Sequence, residues 1–101
     1  MLEKDIEHYF KHQLERYGAK VWKFVSPGKR GVPDRLILLP GGRVRFVELK
    51  APGKKARPLQ KAVFNKMADL GHTVYVIDSK VDVDALIDQW RLQGLIFKRV
   101  M

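Results

Sequence analysis

Two short runs, Asp34 to Leu39 and Arg43 to Lys50, are separated only by Pro40-Gly41-Gly42, and nothing else in the chain restricts its fold as much. Both runs are rich in β-branched and large apolar residues, and the glycines can take the positive φ that a tight connection requires. An antiparallel hairpin is therefore expected. With a three-residue loop, Pro40 to Gly42, Leu39 faces Arg43 and Asp34 falls directly opposite Glu48. Opposed residues share a face with Cβ atoms about 4.5–5.5 Å apart, and Lys50, two positions beyond Glu48, projects to the same side. That face continues through Leu36, Leu38, Val44 and Phe46, so it is apolar for most of its length and ends in Asp, Glu and Lys. A two-residue loop would shift the pairing by one and turn Asp34 to the opposite face.

The remaining elements can be read around this hairpin. Leu2, Ile6, Tyr9, Phe10, Leu14 and Tyr17 recur at helical spacing and Gly18 is a natural stop, which predicts a first helix over Leu2 to Tyr17. Lys20 to Val25 alternates basic with apolar residues and runs into the Gly/Pro-rich basic loop Ser26 to Pro33, so it reads as a strand. After a second basic loop, Pro52 to Pro58, the positions Leu59, Val63, Phe64, Met67 and Leu70 mark a second helix, with Pro58 at its first position and Gly71 just past its end. Thr73 to Ile77 reads as a buried strand. Asp78-Ser79 then leads into a third helix carrying Val83, Leu86, Ile87 and Trp90, and an apolar tail runs from Leu95 to Met101. The expected order is αβββαβα in a single domain over residues 1–101: an α/β fold with a mixed central sheet flanked by helices, the second helix making a right-handed crossover if its strands are parallel.

Charge is distributed unevenly. The chain carries 20 Lys and Arg against 11 Asp and Glu, a net charge of +9, which points to a polyanionic partner. Between Arg16 and Ala68 lie fourteen of the basic residues but only two acids, Asp34 and Glu48. The other acids fall on segments read as helical, where caps and solvated faces account for them. With no cysteine there is no disulfide scaffold, thiol nucleophile or Cys-rich zinc site. No apolar run approaches the roughly 18 residues that span a bilayer, and the first residues lack a signal-peptide layout, so a cytoplasmic, intracellular protein is expected.

Two carboxylates held a hairpin's width apart in a partly buried place repel each other unless a cation sits between them. Hard oxygen ligands favour Mg²⁺ or Mn²⁺ over zinc, with waters and a substrate phosphate completing the octahedron. A salt-bridged strand end, with Lys50 or Arg35 neutralising the acids, fits the same pattern.

Gly31-Val32-Pro33-Asp34, thirteen residues, then Glu48-Leu49-Lys50 resembles the PD-(D/E)XK nuclease signature. Ser26-Pro27-Gly28 before it and Pro58-Leu59-Gln60 after it make the chain similar to the VRR-NUC domain branch, over Glu3 to about Asp78. The resemblance implies a restriction-endonuclease-like αβββαβ core of the stand-alone phage or bacterial type, similar to Holliday junction resolvases. It implies an Mg²⁺- or Mn²⁺-dependent endodeoxyribonuclease in which Asp34, Glu48 and the backbone carbonyl of Leu49 ligate the metal, while Lys50 orients or deprotonates the attacking water. Related nucleases bring a Glu from the first helix to the site. Glu3 and Glu7 are one turn apart, and Glu7 is preferred for its distance from Gly18. Gln60 would face the site from the second helix.

Lys29, Arg30 and Arg35 near the first loop, and Lys54, Lys55, Arg57 and Lys61 around the second, are expected to hold DNA phosphates, with selectivity following DNA shape. The resemblance further implies a homodimer acting on branched DNA, its interface expected at the apolar third helix and the Leu95 to Phe97 tail. His8, His12 and His72 form no metal-ligand group with the acids, and Trp22 and Trp90 are expected in the core or an interface. The rival is a non-catalytic nucleic-acid-binding protein, which leaves Asp34, Glu48 and Lys50 unexplained. A membrane-surface binder is disfavoured because the basic residues lie on loops and strands.

Overall fold

A computed structural model describes residues 1–98; the last three residues of the expected tail lie outside it. The elements are α1 (Glu3–Glu15), β1 (Lys20–Lys23), β2 (Arg35–Leu39), β3 (Arg43–Leu49), α2 (Pro58–Asp69), β4 (Val74–Ile77) and α3 (Lys80–Leu92). This is the expected αβββαβα order. The sheet runs β1-β2-β3-β4, with β1, β2 and β3 antiparallel in sequence and β4 parallel to β3. α2 makes the crossover that a parallel pair needs.

The three-residue hairpin loop is the one observed. Leu39 pairs with Arg43 and Arg35 with Val47, so the register carries on to set Asp34 opposite Glu48. Gly41 and Gly42 both adopt positive φ, 82° and 77°, as the turn demands. Side chains then alternate across the sheet. Ile37, Leu39, Val47 and Leu49 turn to one face, where they meet Ile6, Phe10 and Leu14 of α1 and Val83, Leu86, Ile87 and Trp90 of α3 in a single core. Leu36, Leu38, Val44, Phe46 and Glu48 turn to the other face, over which α2 lies beside β4. Both faces are apolar, so the acids sit on the thinner layer and not on the principal core.

Local chemistry sets the helix ends. The Gln60 side chain accepts the Arg57 N–H at 2.9 Å at the start of α2, and Ser79 Oγ accepts the Asp82 N–H at 3.0 Å at the start of α3. Gly31, at φ +85°, lets the first loop lie against α2: a Cβ there would stand 3.1 Å from Val63 Cγ2 and 3.2 Å from the Leu59 carbonyl oxygen.

One expectation is corrected and another is narrowed. Thr73 to Ile77 was expected to be a buried strand, but β4 is the sheet edge, and only Ile77 on it is buried. Of the third helix and tail, expected at an interface, Val83, Leu86, Ile87, Trp90, Leu95 and Ile96 belong to the core. A helix this close to the sheet must bury that stripe against it. Leu92 and Phe97 remain exposed. No helix among the described residues is long and apolar enough to cross a membrane.

Candidate active site

Asp34 stands one residue before β2 and Glu48 one residue before the end of β3, so both carboxylates project from the same end of the hairpin. They are locked by reciprocal main-chain bonds. The Asp34 N–H donates to Glu48 Oε1 at 3.1 Å, and the Leu49 N–H donates to Asp34 Oδ1 at 3.0 Å. Glu48 is buried, 4% exposed, and its second oxygen receives Lys50 Nζ at 3.2 Å and Gln60 Nε2 at 3.2 Å. Gln60 Oε1 in turn accepts from Lys50 Nζ at 3.0 Å. With two donors on its oxygen and a carboxylate on its nitrogen, the Gln60 amide has one workable orientation. Asp34, Glu48, Lys50 and Gln60 thus converge as the sequence predicts, contributed by the hairpin and by the first turn of α2.

Burial first, and then the negative charges of Glu48 and Glu3, push the Asp34 carboxyl up to about 6; the Leu49 N–H works against that rise. The Arg35 guanidinium stands 3.0 Å from Asp34 Oδ2. A pair of hard oxygen donors held together against their own repulsion is the setting in which a divalent cation gains most, so the donor set fits Mg²⁺ or Mn²⁺.

Arg35 does not stand where a phosphate contact was expected. Alternation from Ile37 and Leu39 places it on the core side, where it is 7% exposed. Its guanidinium pairs with Glu7 of α1, donates to the Asp34 carbonyl oxygen at 2.9 Å and pairs with the Asp34 carboxylate. Desolvation lowers its pKa from the ordinary arginine value. A buried guanidinium must be matched by acids, and Glu7 and Asp34 match it. Glu7 is therefore turned to Arg35, while the Glu3 carboxylate is near enough for its charge to act on both Asp34 and Arg35. Among the described residues no group of three or more Asp, Glu or His is gathered to hold an ion.

Lys29, Arg30, Lys54, Lys55, Arg57 and Lys61 are all exposed. Lys54, Lys55 and Lys61 line a cleft of about 450 Å³ together with Phe64, Val76 and the acids Asp78 and Asp82. Val76 pairs with Glu48 across β3 and β4, so this cleft lies one strand from the acids. Trp90 is fully buried, as expected of a core residue, whereas Trp22 is 57% exposed.

Comparison with known proteins agrees with this geometry. The VRR-NUC domain family model matches residues 3–81. The chain is 47% identical over 78 residues to "Putative nuclease p44" of Acyrthosiphon pisum secondary endosymbiont phage 1, an alignment covering 77% of this chain and 84% of that protein. A solved structure of a VRR-NUC domain superposes with a TM-score of 0.80 at 34% identity, over 87% of this chain and 96% of that one.

Proposed function

This chain belongs to the VRR-NUC domain family and is a nuclease, and we propose that it is an Mg²⁺- or Mn²⁺-dependent DNA endonuclease that nicks branched DNA, such as four-way junctions, as a homodimer. The observation that carries the chemistry is the convergence of Asp34, Glu48, Lys50 and Gln60 at one end of the hairpin.

Asp34, Glu48 and the Leu49 carbonyl would hold the cation, with the Glu7 carboxylate available to it only on release from Arg35. When bound, the metal polarises a phosphoryl oxygen and lowers the pKa of a water. The rest follows from the chain's own groups. Asp34 must give up its proton before it can ligate, so its raised pKa makes the site acid-sensitive. Lys50 pairs with Glu48, and its ammonium favours the charge that builds as water oxygen bonds to phosphorus and one ester P–O bond breaks. Gln60 holds Lys50 and Glu48 in a fixed relation through one amide. Lys29, Arg30, Lys54, Lys55, Arg57 and Lys61 contact phosphates on either side, which orients DNA without reading bases. Leu92 and Phe97 are the apolar residues left outside the core at the C-terminal end of α3, and they are the interface candidates.

Incubating the protein with a four-way junction, a flap and linear duplex, each with Mg²⁺, Mn²⁺ or EDTA, tests the reading. Metal-dependent nicks concentrated at the branch point are expected, with sedimentation reporting twice the chain mass. Binding without cleavage in any metal would leave only a nucleic-acid-binding protein.

A further inference from the structure

The sheet face that carries the acids is only partly roofed. α2 lies beside β4, and among the described residues no helix covers the same face over β1 and β2. There Trp22 is 57% exposed, paired with Leu36, which is itself paired with Phe46. Leu36, Leu38, Phe24 and Phe46 beneath and beside it are half-buried, and Phe24 and Phe46 pack at 5.8 Å between ring centres. Val44, 40% exposed, lies further along the same face, so what projects at this end of it is one flat indole on an apolar floor.

We propose that Trp22 is a stacking platform for an unpaired base of the nucleic-acid substrate, seated about one nucleotide from the phosphate held at Asp34 and Glu48. Two arguments select this occupant over a second copy of the chain. The first is size. An entire Trp supplies at most about 250 Å², far below the roughly 800 Å² per partner of a stable protein interface, while one indole matches one base. The second is charge. Strand alternation leaves Lys20 and Lys50 on this face, and Lys29 and Arg30 lie in the loop that joins β1 to Asp34; with a net charge of +9 two copies of the chain repel, whereas a polyanion is attracted.

Position ties the platform to the chemistry. The Phe24 N–H donates to the Asp34 carbonyl oxygen at 2.9 Å, and Trp22 lies two residues before Phe24 on the same face. That is roughly 7 Å along β1 and one strand spacing of about 4.8 Å across. A base stacked on Trp22 leaves the neighbouring phosphate over the acids, so the platform favours branched DNA that offers an unpaired base, such as a flap. The placement of that phosphate rests on the nuclease reading, but the stacking itself does not.

The test is made in EDTA, so that no cleavage enters it. A short oligothymidylate is titrated into the protein while tryptophan fluorescence is followed; Trp90 is fully buried, so quenching reports Trp22. Saturable quenching by the single strand, and much less by blunt duplex, is expected. By anisotropy of labelled oligonucleotide, Trp22→Ala should weaken single-strand binding by roughly 5- to 100-fold, the loss given by removing one base–aromatic stack, while Trp22→Phe keeps most of it. Unchanged circular dichroism for both variants is expected because the ring is exposed. Absence of quenching, or full single-strand affinity in Trp22→Ala, overturns the proposal. So does a Trp22→Ala protein that sediments at half the wild-type mass, since the ring would then belong to a subunit interface. Quenching that persists alongside a failed cleavage assay would sink the nuclease reading and leave the platform standing.

Discussion

Replacing Arg35 with methionine separates two readings of the same residue. Methionine keeps the apolar stem but removes a guanidinium that is 7% exposed and that serves Glu7, the Asp34 carboxylate and the Asp34 carbonyl oxygen. Removing one partner of a buried ion pair strands the others, at a cost of about 3–5 kcal/mol. The side chains of Glu7 and Asp34 are 26% and 32% exposed, so water offsets part of the loss and the lower part of that range applies. For a domain of about 100 residues each kcal/mol moves Tm by roughly 4–8 °C, which gives a fall of at least about 12 °C from a total stability of only about 5–15 kcal/mol. Thermal unfolding followed by circular dichroism in EDTA at neutral pH measures it. The deficit should shrink on acidification through the Asp34 pKa near 6, because a protonated Asp34 no longer needs the cation. A Tm within about 3 °C of wild type, accompanied by a tenfold loss of DNA affinity, would refute the reasoning and return Arg35 to the phosphate-binding set.

Three further outcomes follow from the same geometry. The Asp34 carboxyl lies near 6 in the folded chain against an ordinary 3.8, so the folded state binds the proton more tightly. Its contribution to stability is therefore fully present below pH 3.8, is lost as pH rises towards about 6 and is flat above, and Mn²⁺ should restore the loss at pH 7 but not at pH 4.5; calorimetry with and without the metal checks both. Gly31→Ala meets Val63 and Leu59 at 3.1–3.2 Å in a left-handed backbone, and should cost about 2–4 kcal/mol in urea unfolding by lifting the first loop off α2. DNA affinity in EDTA should fall with a log–log salt slope of about −5 if all six exposed cations engage phosphate, and by about one less for each of Lys54→Ala and Lys61→Ala.

The hairpin was the most legible part of the fold, because a Pro-Gly-Gly loop between two strand-like runs allows few registers and the observed one sets Asp34 across from Glu48. Helix boundaries were legible to within two residues for α1 and α2, where Gly18 and Gly71 stop them. Which hairpin face meets the main core was not, since Leu36 and Leu38 are as apolar as Ile37 and Leu39, and periodicity does not rank two apolar faces. The burial of Arg35 left a usable signal in its alternation with Ile37 and Leu39, but the excess of surface cations around it made a phosphate contact the natural reading. The apolar stripe of α3 could not be divided between core and interface without knowing that α1 and the sheet fill the space beside it. Trp22 was read with Trp90, yet only Trp90 meets a partner ring, that of Tyr75, at 5.6 Å.

Metal-dependent strand cleavage is the central claim, and Lys50→Ala tests it most directly. Lys50 pairs with Glu48 and Gln60 and is an ammonium that would not ligate a cation, so its loss removes charge stabilisation at the phosphate while Gln60 and the Asp34 N–H still hold Glu48. The measurement is the rate of nicking of a labelled four-way junction in Mg²⁺ or Mn²⁺ by wild type and Lys50→Ala, with junction affinity determined in parallel in EDTA. Wild-type nicking that EDTA abolishes, a fall of roughly 10²–10⁴-fold in Lys50→Ala and affinity within about threefold is the predicted result. Cleavage that survives in EDTA, or a Lys50→Ala protein that nicks at the wild-type rate, would contradict it.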